Sequence, residues 1–362
     1  MDLQLNSISL FQFKNYFDQQ FSFTAPLVGI CGRNGMGKTN LLDAVHYLCF
    51  TKSYFTRQDS LVAQHGRQGF RLEGYFSLKG HAEKAVCVFR ENGKKEFSVN
   101  EEAYTRFSRH IGRYPCVVIA PDDVQLIIGI SEDRRKFIDT LLSQLDPAYL
   151  QHLINYTKIL QQRNSFLRNY NETFGTKDLS VLDILDDQLC IEGDALYKKR
   201  SEFLLYFLPE VKQLYNEIAQ QYEPVSLIYE SELAQNTMKE LLTFNRQKDL
   251  VIQRTTSGVH RDDLVFNLGQ QSFKSIASQG QRKSLLFALK LAETDVIKKE
   301  KRLSPFLLLD DVFEKLDEER ISNLLMRVCS DNDGQIFITD TNCERLEKQL
   351  QKLGKPFQLI QL

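Results

Sequence analysis

The sequence predicts an α/β fold in which a parallel sheet with covering helices lies beside a mixed β lobe, with a smaller helical second domain. Three observations predict it. An apolar strand near the start of the chain runs into a glycine-rich loop and a helix, strands alternate with helices over the last part of the chain, and a long helical stretch separates the two. With 362 residues the chain exceeds what one compact core usually holds, so two or three lobes are expected.

Residues 1–125 are predicted to be the amino-terminal part of the main domain. The opening segment MDLQLNSISLFQFKNYF alternates apolar and polar side chains, which indicates a first strand and not a signal peptide. Residues 70–78 alternate in the same way, and a hairpin is expected around the Asn92-Gly93 turn. This part of the chain therefore reads as a β meander that follows the glycine loop.

Residues 126–230 are predicted to form a helical arm. Apolar residues recur there at helical spacing, as at Phe137, Leu141 and Leu145. The polar stretch 169–180 is expected to join its helices, and no heptad repeat is sustained. The pattern favours a compact arm over a long coiled coil.

Residues 231–362 are predicted to return the chain to the main domain. The strand-like segments DLVFNL, PFLLLD, QIFIT and PFQLIQ alternate with helical segments, among them 280–299 and 317–329. Such alternation is what a parallel sheet with covering helices requires.

Composition and charge exclude some classes of protein. No segment has the roughly 18 uncharged apolar residues of a membrane helix, so a soluble, cytoplasmic protein is expected. The net charge of −1 neither proposes nor excludes nucleic acid, because a polyanion would have to meet a local basic face. The seven cysteines form an odd set without a C-x-x-C spacing, so neither a disulfide framework nor a zinc site is expected.

The most specific motif joins the strand LVGIC to the loop from Gly32 to Thr39 and then to an apolar-striped helix, which is the context that a Walker A loop needs. Its glycines let backbone N–H groups turn towards phosphate oxygens, and the helix adds partial positive charge. We expect Lys38 to reach the β and γ phosphates of ATP and Thr39 to ligate Mg²⁺. The alternative is an ordinary glycine turn. The nucleotide-binding residues expected here are Gly32, Arg33, Asn34, Gly35, Met36, Gly37, Lys38, Thr39 and Asn40.

A second motif is the buried-strand pattern PFLLL that ends in Asp310 and Asp311. Unpaired carboxylates beside a buried strand are costly, which favours a cation there. We expect Asp310 to hold the shell of Mg²⁺ through water and Asp311 to orient or deprotonate the attacking water, so that Asp311 and Lys38 are the catalytic candidates. The alternative is a polar strand end in which Asp caps the next helix.

A third motif, SQGQRK, opens an apolar-striped helix, and Ser278, Gln279, Gly280 and Gln281 would form a second anion site at a helix amino terminus. It resembles the signature motif of ABC-type ATPases, in which one subunit's signature caps the γ-phosphate held by another subunit. Leu316-Asp317 then follows the second Asp as a D-loop would. Without the other two motifs, SQGQ would be read as a simple helix cap.

Taken together, the motifs resemble the RecF family of bacterial recombination mediators. The segments that carry the resemblance occur in the order of that family along the whole chain: LQLNSISLFQFKNY, GRNGMGKTN, APDD at 120–123, DRRKFID at 133–139, SGVHRDDL at 257–264, SQGQRK and LLLDDVFEKLD.

The resemblance implies an ABC-type ATPase head with a short helical second domain. It also implies dimerisation on ATP, weak ATP hydrolysis, and binding of duplex DNA beside single-stranded gaps. The implied partners are RecR and RecO, which act with such a protein in loading the recombinase RecA.

The sequence departs from the ABC pattern in two places. Where transporter-type ATPases have a switch histidine, this chain has Thr339 or Asp340, and an ionised carboxylate cannot donate a hydrogen bond. A Q-loop is not evident, and Asp122, Asp123 and Gln125 are the candidates for its neighbourhood, although an Asp there is often only a helix cap.

Two further groups of charged residues each have two possible roles. His260-Arg-Asp-Asp263 is either a salt-bridged turn or a family element near the nucleotide or the dimer face. Basic residues in the helical arm form either a solvated surface or a face that contacts DNA phosphates. They are Arg134, Arg135, Lys136, Arg163, Arg168, Lys198, Lys199 and Arg200.

The motifs favour an ATP-dependent, DNA-binding clamp of the RecF type over three other kinds of protein. The absence of heptads and of a C-x-x-C hinge argues against an SMC-like coiled-coil protein. A transporter subunit would need a membrane partner and the histidine switch. A scaffold with a purely structural nucleotide site would not need the two carboxylates Asp310 and Asp311.

Overall fold

The structure is a computed structural model that describes residues 1–173, 179–219, 223–312 and 333–362. The chain divides into two compact units. The first unit contains Met1–Asp123 and Leu286–Leu362, and the second contains Val124–Leu285. Both ends of the chain therefore belong to one unit, while the domain limits at 125/126 and 230/231 stay predictions.

The elements are numbered in chain order. The strands of the described residues are β1 (Leu3–Phe13), β2 (Tyr16–Ser22), β3 (Leu27–Cys31), β4 (Phe70–Leu78), β5 (His81–Phe89), β6 (Lys95–Val99), β7 (Glu102–Ala103), β8 (Cys116–Ile119), β9 (Val225–Glu230), β10 (Asp263–Leu268), β11 (Gln271–Ser272), β12 (Phe306–Leu309), β13 (Ile336–Asp340) and β14 (Phe357–Gln361). The α-helices are α1 (Lys38–Phe50), α2 (Gln125–Ile128), α3 (Ser131–Leu145), α4 (Pro147–Thr173), α5 (Ser180–Ala219), α6 (Met238–Ile252), α7 (Phe273–Ile276), α8 (Gln279–Lys301) and α9 (Cys343–Lys352).

The first unit contains a six-stranded antiparallel sheet in the order β2-β1-β4-β5-β6-β7. The predicted alternation in β4 is confirmed, because Phe70, Leu72 and Phe76 are buried while their neighbours are more exposed. The expected hairpin joins β5 to β6, and Gly93 supplies the positive φ of 77° in its turn.

A five-stranded parallel sheet, β14-β3-β13-β12-β8, is the second layer of this unit. Strands β3, β8, β12 and β13 are buried along their whole length, which accounts for their uninterrupted apolar sequences. Helix α1 contacts strands of both sheets, and eleven of its thirteen residues are buried. The parallel α/β core predicted from the sequence is thus confirmed.

The second unit is mainly helical. Helices α4 and α5, of 27 and 40 residues, pack along each other, and a small antiparallel sheet has the order β11-β10-β9. Helix α4 continues to Thr173, so the polar stretch predicted to join the helices begins inside a helix. The helix predicted over 317–329 lies outside the described residues.

One expectation from the cysteines was wrong. A disulfide joins Cys31, the last residue of β3, to Cys343, the first residue of α9. The two are 312 residues apart, and β3 and β13 bring them together as neighbours in the parallel sheet. Sequence spacing carries no sign of such a pair. Among the helices that the structure describes, none is both long and apolar enough to cross a membrane.

Candidate nucleotide-binding site

The glycine loop connects β3 to α1 as the sequence predicts. Residues 33–36 form its exposed crest, whereas Gly37 and Lys38 are buried. Gly37 has a φ of 110°, and a Cβ there would lie 2.6 Å from Nδ2 of Asn15. Only glycine fits this position, because a side chain would be both strained and in collision.

The turn between β1 and β2 braces the glycine loop from outside. The side-chain amide of Asn15 donates to the Met36 carbonyl at 3.0 Å, and the Tyr16 hydroxyl donates to the Gly37 carbonyl at 3.0 Å. Asn40 in turn donates to Oδ1 of Asn15 at 2.7 Å. In the sequence, Asn15 and Tyr16 are marked only by the KNY segment that belongs to the family resemblance.

Lys38 is only 4% exposed, and its ammonium lies against the backbone of the loop. Its Nζ donates to the carbonyls of Gly32 at 2.9 Å and Arg33 at 3.2 Å. Both acceptors are neutral carbonyls, so the ammonium keeps its positive charge next to the loop, where it can attract an anion.

Asp310 lies at the carboxyl end of β12, where it meets the first turn of α1. The Thr39 hydroxyl is 3.0 Å from Oδ1 and 2.9 Å from Oδ2 of Asp310, and the Thr339 hydroxyl donates to Oδ1 at 2.8 Å. Burial raises the pKa of Asp310 above its ordinary value, and the two hydroxyl hydrogen bonds oppose that shift. The structure therefore gathers a hydroxyl and a carboxylate, which are oxygen ligands of the kind that Mg²⁺ binds.

Asp311 follows directly and has an unusual backbone conformation. Its φ is 43°, in the left-handed region that few residues other than Gly, Asn and Asp adopt, and its N–H donates to the Thr339 hydroxyl at 2.9 Å. The Thr339 hydroxyl therefore contacts both neighbouring aspartates: it donates to the side chain of Asp310 and accepts from the main chain of Asp311. Backbone strain of this kind is often found at functional sites. The predicted D-loop, Leu316-Asp317, lies outside the described residues.

The two candidates for the switch position have different surroundings. Thr339 contacts Asp310 and Asp311, as described. The Asp340 carboxylate is buried and accepts from Arg345, whose Nε lies 2.8 Å away, and from the N–H of Asn342 at 3.0 Å. Asp340 is thus bound to the start of its own following helix.

The candidates for the Q-loop neighbourhood include one evident cap. Oδ2 of Asp123 accepts from the N–H of Ala120 at 2.9 Å, and the Tyr54 hydroxyl donates to Oδ1 of Asp123. Asp122 and Gln125 are exposed, and Gln125 begins α2 in the second unit. The bonds of Asp123 match the helix-cap interpretation.

The signature-like residues lie in the second unit at the start of α8. Ser278 and Gln281 cap the helix reciprocally: the N–H of Gln281 donates to Ser278 Oγ at 3.2 Å, and the N–H of Ser278 donates to Gln281 Oε1 at 2.8 Å. Ser278 and Gln279 are exposed and Gly280 is half-buried. An exposed, capped helix end can still receive an anion.

Most of the basic residues proposed for DNA contact are instead engaged in ion pairs inside the second unit. Arg163 is fully buried and binds Asp186 at 2.6 Å and Asp249 at 2.7 Å. Arg200 is buried against Asp139 at 2.8 Å and Asp262 at 3.1 Å.

Arg134, Lys136 and Lys199 pair with Asp263, Glu132 and Asp146. For Arg163 and Arg200 a phosphate contact is excluded by burial. The carboxylate of Asp263 pairs with Arg134 and that of Asp262 pairs with Arg200, so the HRDD segment is a salt-bridged turn. Arg168 and Lys198 are exposed.

Comparison with known proteins gives a consistent result. The family described as RecF/RecN/SMC N terminal domain matches residues 4–358. A relative from Flavobacterium johnsoniae, named DNA replication and repair protein RecF, is 40% identical over 362 residues, which covers 99% of this chain and 100% of that protein. A relative of the same name from Phocaeicola vulgatus is 39% identical over 358 residues, covering 98% and 95%. A solved structure described as the recombination mediator protein RecF-ATP in the RecFOR pathway has a TM-score of 0.87 at 28% identity, and covers 94% of this chain and 92% of that one.

Proposed function

Because this chain belongs to the RecF family, we propose that it is an ATP-dependent DNA-binding protein of recombinational repair. The observation that carries the proposal is the meeting of the glycine loop with Asp310, in which Thr39 and Asp310 lie within 3.0 Å of each other beside the ammonium of Lys38. A phosphate loop and an acidic strand end in this arrangement are what a nucleoside triphosphate needs.

In this proposal the polyphosphate of ATP lies within the loop from Gly32 to Asn40. Lys38 neutralises phosphate charge, and the hydroxyl of Thr39 with the carboxylate of Asp310 would hold Mg²⁺, which supplies further charge neutralisation when bound. Asp311 orients or deprotonates the water that attacks the γ-phosphate. Hydrolysis is expected to be weak and to reset the protein.

The second half of the proposal is an ATP-dependent homodimer. The signature-like residues Ser278, Gln279, Gly280 and Gln281 of one copy would cap the γ-phosphate held by the other copy. The exposure of Ser278 and Gln279, and the place of all four residues at a helix amino terminus, support this role. The dimer would bind junctions of duplex and single-stranded DNA and act with RecR and RecO in loading RecA.

The test is the mass of the protein in solution with and without ATP and Mg²⁺, followed by titration of gapped duplex DNA. We expect the mass to double with ATP and DNA affinity to rise with it. A protein that stays monomeric at saturating ATP would contradict the dimer. ATP binding without any hydrolysis would favour the scaffold alternative.

A further inference from the structure

The disulfide between Cys31 and Cys343 lies at the entrance to the phosphate loop. Cys31 is the residue before Gly32, and Cys343 opens α9 directly after the segment Asp340 to Asn342. The N–H of Gly32 also donates to the Asp340 carbonyl at 3.3 Å. One covalent bond from Cys31 and one hydrogen bond from Gly32 thus join the point where β3 enters the loop to the end of β13 and the start of α9.

We propose that Cys31 and Cys343 are a reversible thiol–disulfide pair that controls how firmly the start of the phosphate loop is held. In a protein expected in the cytoplasm, small thiols keep most cysteines reduced, and disulfides that do form there are usually regulatory. A bond next to the nucleotide loop is in a position to have such a role.

The surroundings of the two sulfurs decide the order of the reaction. Cys343 is half-buried and stands at the first position of a ten-residue helix, whose partial positive charge stabilises an attacking thiolate. Cys31 is fully buried at the end of β3. Cys343 is therefore the entry thiol, and Cys31 is the resolving thiol that completes the bond.

The other cysteines of the described residues are poor competitors. Cys49, Cys87 and Cys116 are buried, and Cys190 is half-buried. Burial raises the pKa of Cys87 to about 12 and that of Cys190 to about 11, which keeps both as thiols at neutral pH.

The oxidant is a small disulfide of the glutathione class, and the exchange balances without a further reactant. The Cys343 thiolate attacks one sulfur of the small disulfide, its S–S bond breaks, and the first small thiolate leaves. The Cys31 thiolate then attacks the Cys343 sulfur, and the second small thiolate leaves. Two electrons pass from the protein to the oxidant, and the protons of the two cysteines end on the two small thiols.

Reduction would loosen the loop without unfolding the unit. Helix α9 stays seated on β3 because Leu346 and Leu350 are fully buried against Gly29. The ion pair of Arg345 with Asp340 also remains. What is lost is the covalent link between Cys31 and Cys343, while the N–H of Gly32 still donates to the Asp340 carbonyl, so the start of the loop is held less firmly but is not released. The oxidised protein is preorganised and should bind ATP more tightly.

The first experiment maps the thiols of the folded protein by alkylation and peptide mass analysis. In oxidised protein Cys343 should resist alkylation, and after mild reduction it should be modified, while the Cys190→Ser control behaves like the parent. Cys31→Ser treated with oxidised glutathione should accumulate a mixed disulfide on Cys343, whereas Cys343→Ser should form almost none on Cys31. Equal alkylation of Cys343 before and after reduction, or equal mixed-disulfide yield in the two variants, overturns the proposal.

The second experiment, which rests on the proposed function, measures ATP affinity of oxidised and reduced protein. We expect reduced parent and Cys343→Ser to bind ATP at least about fivefold more weakly than oxidised parent, a usual size for coupling between sites. The affinity of Cys343→Ser should not respond to the redox state. Equal ATP affinity in both forms overturns the control of the loop while the thiol map still stands. Loss of ATP binding in every form would instead contradict the proposed function.

Discussion

The hydroxyl of Thr39 lies 3.0 Å from one carboxylate oxygen of Asp310 and 2.9 Å from the other. The two residues are 271 positions apart in the sequence. They meet because β3 and β12 are both neighbours of β13 in a parallel sheet, so that their carboxyl ends lie at one edge. Thr339 of the intervening strand completes the contact. The sheet order alone thus assembles the site.

The first prediction concerns the charge inside the loop. Lys38→Ala removes the ammonium that now lies against the carbonyls of Gly32 and Arg33, so ATP should bind roughly tenfold to a hundredfold more weakly, as expected for a hydrogen-bonded charge. Calorimetric titration measures it. Lys348→Ala, on the exposed side of α9, is the matched control and should bind ATP as the parent does. Equal affinities in the two variants would remove the loop assignment.

The second prediction separates binding from hydrolysis. Asp311→Asn keeps the size of the side chain but removes the carboxylate that would position water, so ATP should still bind while turnover falls by roughly a hundredfold or more. The ATP-bound dimer should live longer as a result. Steady-state phosphate release and the dissociation rate of the dimer are the two measurements. Turnover at the parental rate would show that Asp311 is not the catalytic carboxylate.

The sequence predicted the parts of the fold that follow from local patterns. Side-chain periodicity and glycine chemistry account for three of them: the strand, loop and helix around Gly37, the buried strand before Asp310, and the alternation in β4. The sequence also predicts a helix cap at Ser278 as an alternative, and the structure adds that Ser278 and Gln281 bond reciprocally.

What the sequence did not predict depends on residues far apart in the chain. Arg163 and Arg200 looked like surface charges, since a single helix pattern does not show which aspartates pack against them. The pairing of Cys31 with Cys343 and the bonds of Asn15 to the loop likewise depend on strand order. Such contacts become visible only when the topology is known.

The third prediction tests the corrected view of the basic residues. Arg163→Ala leaves Asp249 buried without its cation and should lower the free energy of unfolding by roughly 3–5 kcal/mol. Lys198→Ala, at an exposed position of the neighbouring helix, should change it by less than about 0.5 kcal/mol. Denaturant unfolding of both variants checks this. If Arg163→Ala left the free energy of unfolding unchanged, the ion pair would not stabilise the fold.

The fourth prediction is a loss of stability in acid caused by His110. Burial lowers the pKa of this residue to about 4, and its Nε2 bonds the Leu48 carbonyl at 2.7 Å. The unfolded chain takes up a proton near the ordinary pKa of about 6.5, whereas the folded protein does not. The stabilisation is therefore complete above about pH 6.5 and is lost as the pH falls towards 4.

The measurement for His110 is the change in unfolding free energy between about pH 7 and pH 5. His110→Gln keeps an amide donor for Leu48 but cannot titrate, so its loss over this interval should be smaller than the parent's by about 2 kcal/mol. The same loss in both proteins would assign the acid sensitivity to other groups.

The last prediction couples DNA binding to dimerisation through Ser278. The chain has a net charge of −1 and no global attraction for polyanions, so two weakly binding copies joined in one dimer should bind DNA far more tightly than either copy alone. Ser278→Arg places bulk and charge at the exposed start of α8 and should block pairing while the phosphate loop of the same chain keeps its ATP affinity.

The control for this variant is Ser278→Asn. The change to Arg also removes a helix cap worth about 1 kcal/mol, whereas Asn caps as well as Ser and adds little bulk. We expect Ser278→Arg to stay monomeric with ATP and to lose most ATP-stimulated binding of gapped duplex, and Ser278→Asn to keep both. Affinity of the parent should fall steeply with salt, since phosphate contacts release counterions. ATP-stimulated DNA binding by a variant shown to be monomeric would contradict the proposal that DNA binding requires the dimer.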